Sequence, residues 1–365
     1  MHYNIGIIGG GQLGAMMTTE AHKLGYTVAV LDPNPKCSAS YVCDKLICGP
    51  FTDLNKLTEL GNITDCLAYE FENVKGEILK ELDNKFNIPQ GINILLDSQD
   101  RLKEKMNANK YGLPTVKFCD CSSLLDLKNA ITNIGYPCIY KTRREGYDGH
   151  GQVVLYSACD IEKVKPYLEN NLGIIESKID FDFECSVIVI RSKDKTITFP
   201  IGLNIHKDGI LDITATPNPY LSKDLEYKIK DASINFMKNA NYYGILTIEY
   251  FVKGDNFYFN EMAPRPHNSG HYTIEGCTTN QFKELDKFLL NLPLEEPKLI
   301  SATCMKNILG RDLINLEKLK KIKNCNYHDY HKDSIKELRK LGHITYTNTT
   351  LDLFKEELKK QNIEE

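Results

Sequence analysis

The apolar run Asn4–Ile8 ends in three consecutive glycines, Gly9, Gly10 and Gly11, and a helical pattern starts almost at once. A strand that stops so abruptly and turns straight into a helix predicts a βαβ unit at the start of the chain. Leu13, Met16, Met17, Ala21 and Leu24 share one helical face, and Gly25 supplies the stop. Thr27–Leu31 reads as a second strand closed by Asp32-Pro33, and Lys45–Cys48 and Cys66–Tyr69 read as two more. Helical patterns lie between them, near residues 53–61 and 74–84. This alternation predicts a parallel, doubly wound α/β sheet over the first hundred or so residues.

Gly9, Gly11 and Gly14 satisfy G-x-G-x-x-G, and Asp32 follows 18 residues after Gly14. The pattern fits a dinucleotide site, with Asp32 on a ribose. Its physical content is broader, because glycines admit an anion close to the backbone and a helix N-terminus offers it unpaired N–H groups. Any phosphorylated ligand meets that description, and so does a tight turn that binds nothing.

The chain has 365 residues, enough for two or three domains. A net charge of −4 and 26% charged residues give no broad basic surface for nucleic acid. No apolar stretch is long enough for a membrane helix, and the start MHYNIGIIGG has no basic segment or cleavage site of a signal peptide. A cytoplasmic protein is expected. The 12 cysteines contain no C-x-x-C pair and are expected to be reduced and mostly buried.

The middle of the chain carries the chemistry. Asp97 and Ser98 read as a helix start before Arg101–Tyr111. A strand then delivers Lys141, and the loop after it holds Gly146, Gly149 and Gly151. A lysine so placed can sit on phosphate oxygens while glycine N–H groups cover them, although a hairpin with a surface lysine has the same pattern. Lys-Ser/Thr does not close the loop, so it is not a Walker loop. Glu176, after the apolar run Leu172–Ile175, and Glu184, in Phe183–Ile190, are acids beside apolar strands. Ribose hydroxyls or an adenine amino group would give them partners; an exposed sheet edge would need none.

Thr247–Val252 and Asn256–Glu261 flank Lys253-Gly254-Asp255 and predict a hairpin. If it is centred on Asp255, Glu249 faces Glu261 with side chains about 5 Å apart, a repulsive pair unless a cation lies between them. A register one residue off would separate them. Met262–His271 follows, with two prolines and with Arg265, His267, Asn268 and Ser269 as hydrogen-bond donors to an oxyanion.

The segments GGGQLG, KTRREGYDGHGQ, NIHKDGIL and NEMAPRPHNSGHYTIEGC together resemble the N5-carboxyaminoimidazole ribonucleotide synthetases, ATP-grasp enzymes of purine biosynthesis. The resemblance runs to RKLGHIT near residue 345. It implies a ligase that carboxylates 5-aminoimidazole ribonucleotide with bicarbonate and ATP, through carboxyphosphate, using Mg²⁺ with Mn²⁺ as a substitute. It also implies a homodimer with small-molecule substrates and no nucleic-acid or membrane partner.

By this resemblance Arg101 and Lys141 contact ATP phosphates, and Gly146, Tyr147, Asp148, Gly149, His150, Gly151 and Gln152 form a flap over them. Glu176, Ser177, Lys178 and Ile179 run along the adenine, Glu184 holds the ribose, and His206 borders the nucleotide. Glu249 and Glu261 hold magnesium with Asn260 beside them. Gln12 and Leu13 present N–H groups to the ribonucleotide, Glu72 accepts from its ribose, and Tyr147 and Asp148 face the aminoimidazole. Arg265, His267 and Asn268 hold bicarbonate or the forming carbamate; Lys332 and Arg339, with Lys340 adjacent, grip the 5′-phosphate.

His267 also serves as a base candidate near neutral pH, alongside the phosphate oxygens. Ala15, Glu145, His150 and Glu337-Leu338 depart from the family pattern, where Arg, Gly, Lys and Pro-Gly are usual. The expected organisation is a doubly wound domain over 1–97, a two-part ATP-grasp domain over 98–295 and a small C-terminal domain over 296–365. The rivals are a formate-dependent ATP-grasp enzyme formylating glycinamide ribonucleotide and, more remotely, an NAD-dependent dehydrogenase.

Overall fold

The computed structural model describes residues 1–144, 151–168 and 172–363. Strands β1 (Tyr3–Ile8), β2 (Val28–Asp32), β3 (Lys45–Cys48) and β4 (Thr64–Tyr69) alternate with helices α1 (Gln12–Lys23), α2 (Leu54–Asn62) and α3 (Gly76–Lys85). The strands are parallel in the order β3-β2-β1-β4. Val28 and Val30 pack with Ile5, Ile7 and Met17 of α1. Ala29 and Leu31 point the other way, to Leu57 and Leu60 of α2 and Leu79 of α3. Period-two alternation thus covers both faces with helices, as a doubly wound sheet requires.

Helices α4 (Asn93–Ser98) and α5 (Arg101–Lys110) lead out of this unit. The helix start expected at Asp97 and Ser98 is displaced: those residues end α4. Asp100 caps α5, accepting from the N–H groups of Leu102 and Lys103. Next come β5 (Phe118–Cys121), α6 (Leu124–Ile134), β6 (Cys138–Thr142), β7 (Gln152–Leu155), α7 (Ile161–Leu168) and β8 (Gly173–Ser177). The four strands form an antiparallel sheet in the order β5-β8-β6-β7. Strand β8 outruns the apolar stretch and includes Glu176, whose carboxylate has partners inside the protein.

The remaining strands make one nine-stranded antiparallel sheet. They are β9 (Phe183–Arg191), β10 (Thr196–Thr198), β11 (Gly202–Lys207), β12 (Ile210–Thr216), β13 (Gly244–Lys253), β14 (Asn256–Ala263), β15 (Thr303–Leu309), β16 (Cys325–Asp329) and β17 (Lys340–Thr347). Their order is β14-β13-β9-β11-β12-β15-β17-β16, with β10 beside β9. Helices α8 (Lys223–Asn239), α9 (Thr273–Gly276), α10 (Gln281–Leu289), α11 (Leu316–Leu319) and α12 (Leu351–Lys360) complete the described chain. The C-terminal strands extend the central sheet, and Ile308, Ile344 and Phe354 share one core with Val187, Phe236 and Ile248. Helix α10 packs back on α1, where Phe282 and Leu285 join the core of the parallel sheet.

The β13–β14 hairpin brings Glu249 opposite Glu261 by a different route from the one expected. Lys253 pairs with Asn256, so the turn is the two residues Gly254 and Asp255. That register alone would set Glu249 against Asn260. A bulge between Glu249 and Tyr250 on one strand, with Asn260 as the extra residue on the other, shifts the pairing by one and restores the facing acids.

Candidate active site

A cavity of about 640 Å³ opens where the three sheets meet. The parallel sheet contributes Gln12, Leu13, Glu70 and Glu72, and the small antiparallel sheet contributes Lys141, Arg143 and Gln152. The large sheet supplies Glu184, His206, Glu249 and Glu261; the loop after it adds Arg265, His267 and Asn268, and β17 adds Lys340.

Lys141 is buried at the end of β6, its ammonium 3.1 Å from Glu176. The other oxygen of Glu176 lies 3.3 Å from Lys105, which is 2% exposed. Burial opposes the charge on Glu176, but the two lysines outweigh it and hold its pKa below the usual carboxylate range. The Glu176 carboxylate is therefore committed to fixing Lys141; Ser177, Lys178 and Ile179 follow it outside the cavity lining. Arg101 stands 3.5 Å from Glu261, and Arg143 makes a two-bond fork to Asp100 at 2.9 and 2.6 Å. Lys105, Asp100 and Arg143 escaped the sequence reading, because a lysine inside a polar helix or an acid before one has no distinguishing pattern. Gly151 and Gln152 lie at the start of β7, with Gln152 opposite Lys141. The flap residues Gly146, Tyr147, Asp148, Gly149 and His150, with Glu145, lie outside the described residues.

Glu249 is buried, and burial together with the neighbouring Glu261 raises its pKa to about 8. Glu104, whose carboxylate accepts from the Met262 N–H at 2.8 Å, is raised to about 8 by the same two causes. Crowded carboxylates with oxygen donors suit a hard divalent cation, so Glu249 and Glu261 fit the magnesium expected there. Asn260 lies in the bulge beside them. Donor atoms of Glu184, His206 and Glu249 all fall within 4.8 Å of one another. The His206 ring is 3.3 Å from Glu184; burial disfavours its charge, but Glu184 outweighs burial and raises its pKa. Phe181 stacks on Phe251 at 4.7 Å, an apolar wall suited to a purine ring that the sequence reading missed.

In the loop after β14, Arg265 meets Glu72 at 2.6 Å, and His267 lies 3.5 Å from Glu249. Burial, then the positive charge of Arg265 and Lys340, drives the His267 pKa well below its ordinary value. Both amide atoms of Asn268 are buried without a hydrogen-bond partner among the described residues. Such atoms are costly unless a polar ligand satisfies them.

The glycine turn rejects the dinucleotide reading. Glu70 accepts from the N–H groups of Gly11 at 2.7 Å and Gly14 at 3.0 Å, filling the place where a pyrophosphate would lie. A Cβ on Gly11 would come within 2.6 Å of the Glu70 carboxylate. Asp32 is buried and accepts from the backbone N–H groups of Gly10 and Asn34, both at 2.8 Å, so it serves the turn itself. Lys332 reaches back to donate to Gln12 at 2.7 Å, while Arg339 pairs with Asp333 at 3.0 Å. Neither lines the cavity as Lys340 does. All 12 cysteines are free, most of them buried. Among the described residues no helix is long and apolar enough to cross a membrane.

A parallel sheet, a buried lysine on a small antiparallel sheet and paired acids on a large one, all facing one cavity, define an ATP-grasp ligase. The ATP-grasp domain model matches residues 106–282, the ribonucleotide synthetase preATP-grasp domain 2–95, and the phosphoribosylaminoimidazole carboxylase C-terminal domain 303–357. The N5-carboxyaminoimidazole ribonucleotide synthase of Staphylococcus haemolyticus is 40% identical, covering 98% of this chain and 96% of its own length. The crystal structure of N5-carboxyaminoimidazole synthetase from Staphylococcus aureus with ADP superposes with a TM-score of 0.94, at 35% identity over 98% of this chain and 96% of that one. That of the Aspergillus clavatus synthase with ADP and 5-aminoimidazole ribonucleotide gives 0.91, at 27% identity over 99% and 98%. The chain belongs to the N5-carboxyaminoimidazole ribonucleotide synthase family.

Proposed function

We propose that this chain uses ATP to carboxylate 5-aminoimidazole ribonucleotide with bicarbonate, giving N5-carboxyaminoimidazole ribonucleotide, ADP and phosphate. The observation that carries the reading is the single cavity that joins Lys141 and the facing Glu249 and Glu261 to Arg265, His267 and Asn268. Cations gather at one end for a polyphosphate, and Arg265, His267 and the unpartnered amide of Asn268 gather at the other for a small oxyanion.

Lys141, locked by Glu176, meets the ATP phosphates as a fixed charge, and Arg101 lies beside the metal-binding acids. A bicarbonate oxygen attacks the γ-phosphorus, the bond to the bridging oxygen of ADP breaks, and carboxyphosphate forms. The amine nitrogen of the ribonucleotide then attacks the carboxyl carbon, phosphate departs with the C–O bonding pair, and the amine proton passes to a phosphate oxygen. Glu249 and Glu261 would hold magnesium, which would supply charge neutralisation on the polyphosphate. Arg265 and Asn268 orient the bicarbonate, and the Phe181–Phe251 wall receives the adenine. Gln12, Leu13, Glu72 and Lys340 face the ribonucleotide side, with Lys332 and Arg339 as its outer cations. We assign the chain to the cytoplasm and to a homodimer on family grounds alone.

The test is ADP release with Mg-ATP and aminoimidazole ribonucleotide in CO₂-free buffer, with and without added bicarbonate. The proposal requires that release need both the ribonucleotide and bicarbonate. Turnover supported instead by formate and glycinamide ribonucleotide would replace the substrate assignment.

A further inference from the structure

His267 is held from three sides. Its backbone N–H donates to Gln281 Oε1 at 2.9 Å, and its carbonyl accepts from Gln281 Nε2 at 2.8 Å. One side-chain amide thus clasps the peptide of a loop residue as a neighbouring strand would. Gln281 is fully buried at the start of α10, a helix anchored on α1 and on the large sheet. The clasp is tight: a Cβ on Gly270 would fall 2.6 Å from Gln281 Oε1, so the loop approaches only as glycine.

The ring is fixed as well. Nδ1 accepts from the backbone N–H of Ser269 at 3.3 Å and lies 2.8 Å from the Ser269 hydroxyl. That hydroxyl meets Ser186 of β9 at 2.8 Å. An imidazole nitrogen that accepts from a backbone N–H has its lone pair committed and carries no proton. The proton of the neutral ring then sits on Nε2, the nitrogen that faces Glu249 across 3.5 Å.

We propose that Ser269 and Gln281 are positioning residues that fix His267 as its Nε2–H tautomer, making it a hydrogen-bond donor to the oxyanion in the cavity and not a proton acceptor. The inference rests on the carboxylation reading for the identity of that oxyanion; the tautomer itself stands on the contacts alone. It follows that Ser269 and Gln281, which do not line the cavity, govern the affinity for bicarbonate and leave that for Mg-ATP nearly unchanged. The donor also keeps the activated carbon oriented, so its misplacement lets water compete and ADP release outrun carboxylation.

The experiment uses the full chain labelled with ¹⁵N-histidine, as wild type, Ser269→Ala and Gln281→Met, with His267→Gln to assign the signals. The expected wild-type spectrum has His267 Nδ1 unprotonated and Nε2 protonated; Ser269→Ala keeps the backbone N–H at 3.3 Å but removes the closer hydroxyl at 2.8 Å, and shifts the ring towards a mixture of the two tautomers. Steady-state kinetics should show the KM for bicarbonate up about tenfold in both variants, about 1.4 kcal/mol, with the KM for Mg-ATP within about twofold. ADP formed per product formed should rise above one. A wild-type proton on Nδ1 overturns the proposal, as does a Ser269→Ala protein with unchanged tautomer and bicarbonate KM. If Gln281→Met fails to fold, Ser269→Ala and the wild-type spectrum decide. A wild type without bicarbonate-dependent turnover overturns the functional reading instead, and the spectrum still decides the tautomer.

Discussion

Asp286 on α10 is a fully buried carboxylate, neither of whose oxygens has a hydrogen-bond partner among the described residues. Burial, then the nearby Glu20, pushes its pKa well above the usual value. The sign follows from linkage. The folded state holds the proton more tightly than the unfolded chain, so Asp286 adds no electrostatic penalty below the unfolded value of about 4 and a growing one as pH rises above it, up to the raised folded value. Asp286→Asn, which removes the titrating group at nearly the same volume, should therefore raise the melting temperature at pH 7–8 by a few degrees, and the gain should narrow as pH falls towards about 4. Thermal unfolding at several pH values measures it; a gain independent of pH would contradict the assignment. Residues of this kind are the least legible in the sequence. Asp286 reads as one more polar position on an amphipathic helix, and Lys105 as a solvated lysine, because burial at an interface between distant segments leaves no local mark. Glu176 and Lys141 were legible as chemistry, but their bond to each other was not. An acid beside apolar strands demands a partner without naming it.

At the scale of elements, the strand–turn–helix at the start of the chain was plain, since period-two alternation, glycines and a helical face coincide within 25 residues. Its ligand was not. The same glycines that admit a phosphate admit Glu70, 56 residues beyond Gly14, and nothing near the turn announces this. The β13–β14 pairing has a similar history: the acids face each other, yet the turn is two residues and a bulge at Asn260 makes up the difference. A bulge is a backbone event without a compositional signature, so register is the first thing a sequence reading loses. The Glu70 contacts lead to a prediction. Glu70→Gln keeps the shape but replaces one of the two acceptor oxygens with a donor, so one of Gly11 and Gly14 loses its partner. The first turn of α1, which carries Gln12 and Leu13, should loosen. The KM for aminoimidazole ribonucleotide should rise about tenfold while that for ATP stays within about twofold, because the acids and lysines of the nucleotide end are untouched. Equal loss in both would mean that the turn supports the whole fold and not one subsite.

For the whole molecule, the telling feature is how the last 60 or so residues attach. The proline-marked boundary near residue 295 suggests a separable unit, but β15 pairs with β12 and β17 with β15, so the central sheet continues through both. Tyr346 and Phe354 pack into the core that holds Val187, Phe236 and Ile248, and Lys340 on β17 lines the cavity. Removing this segment would expose β12 as a long apolar edge and open one side of the core, both strongly unfavourable. The segment and the central sheet should therefore unfold as one cooperative unit. Hydrogen exchange followed by mass spectrometry at rising denaturant measures this directly: amides of β15 and β17 should lose protection at the same concentration as those of β9 and β13. Earlier loss in β15 and β17 would restore a separable domain. Cooperative unfolding would tie the cavity to the same packing, because Lys340 and the acids Glu184, Glu249 and Glu261 stand on strands of one sheet. Small displacements of Lys340 would then be resisted by the stability of the central fold rather than by a hinge.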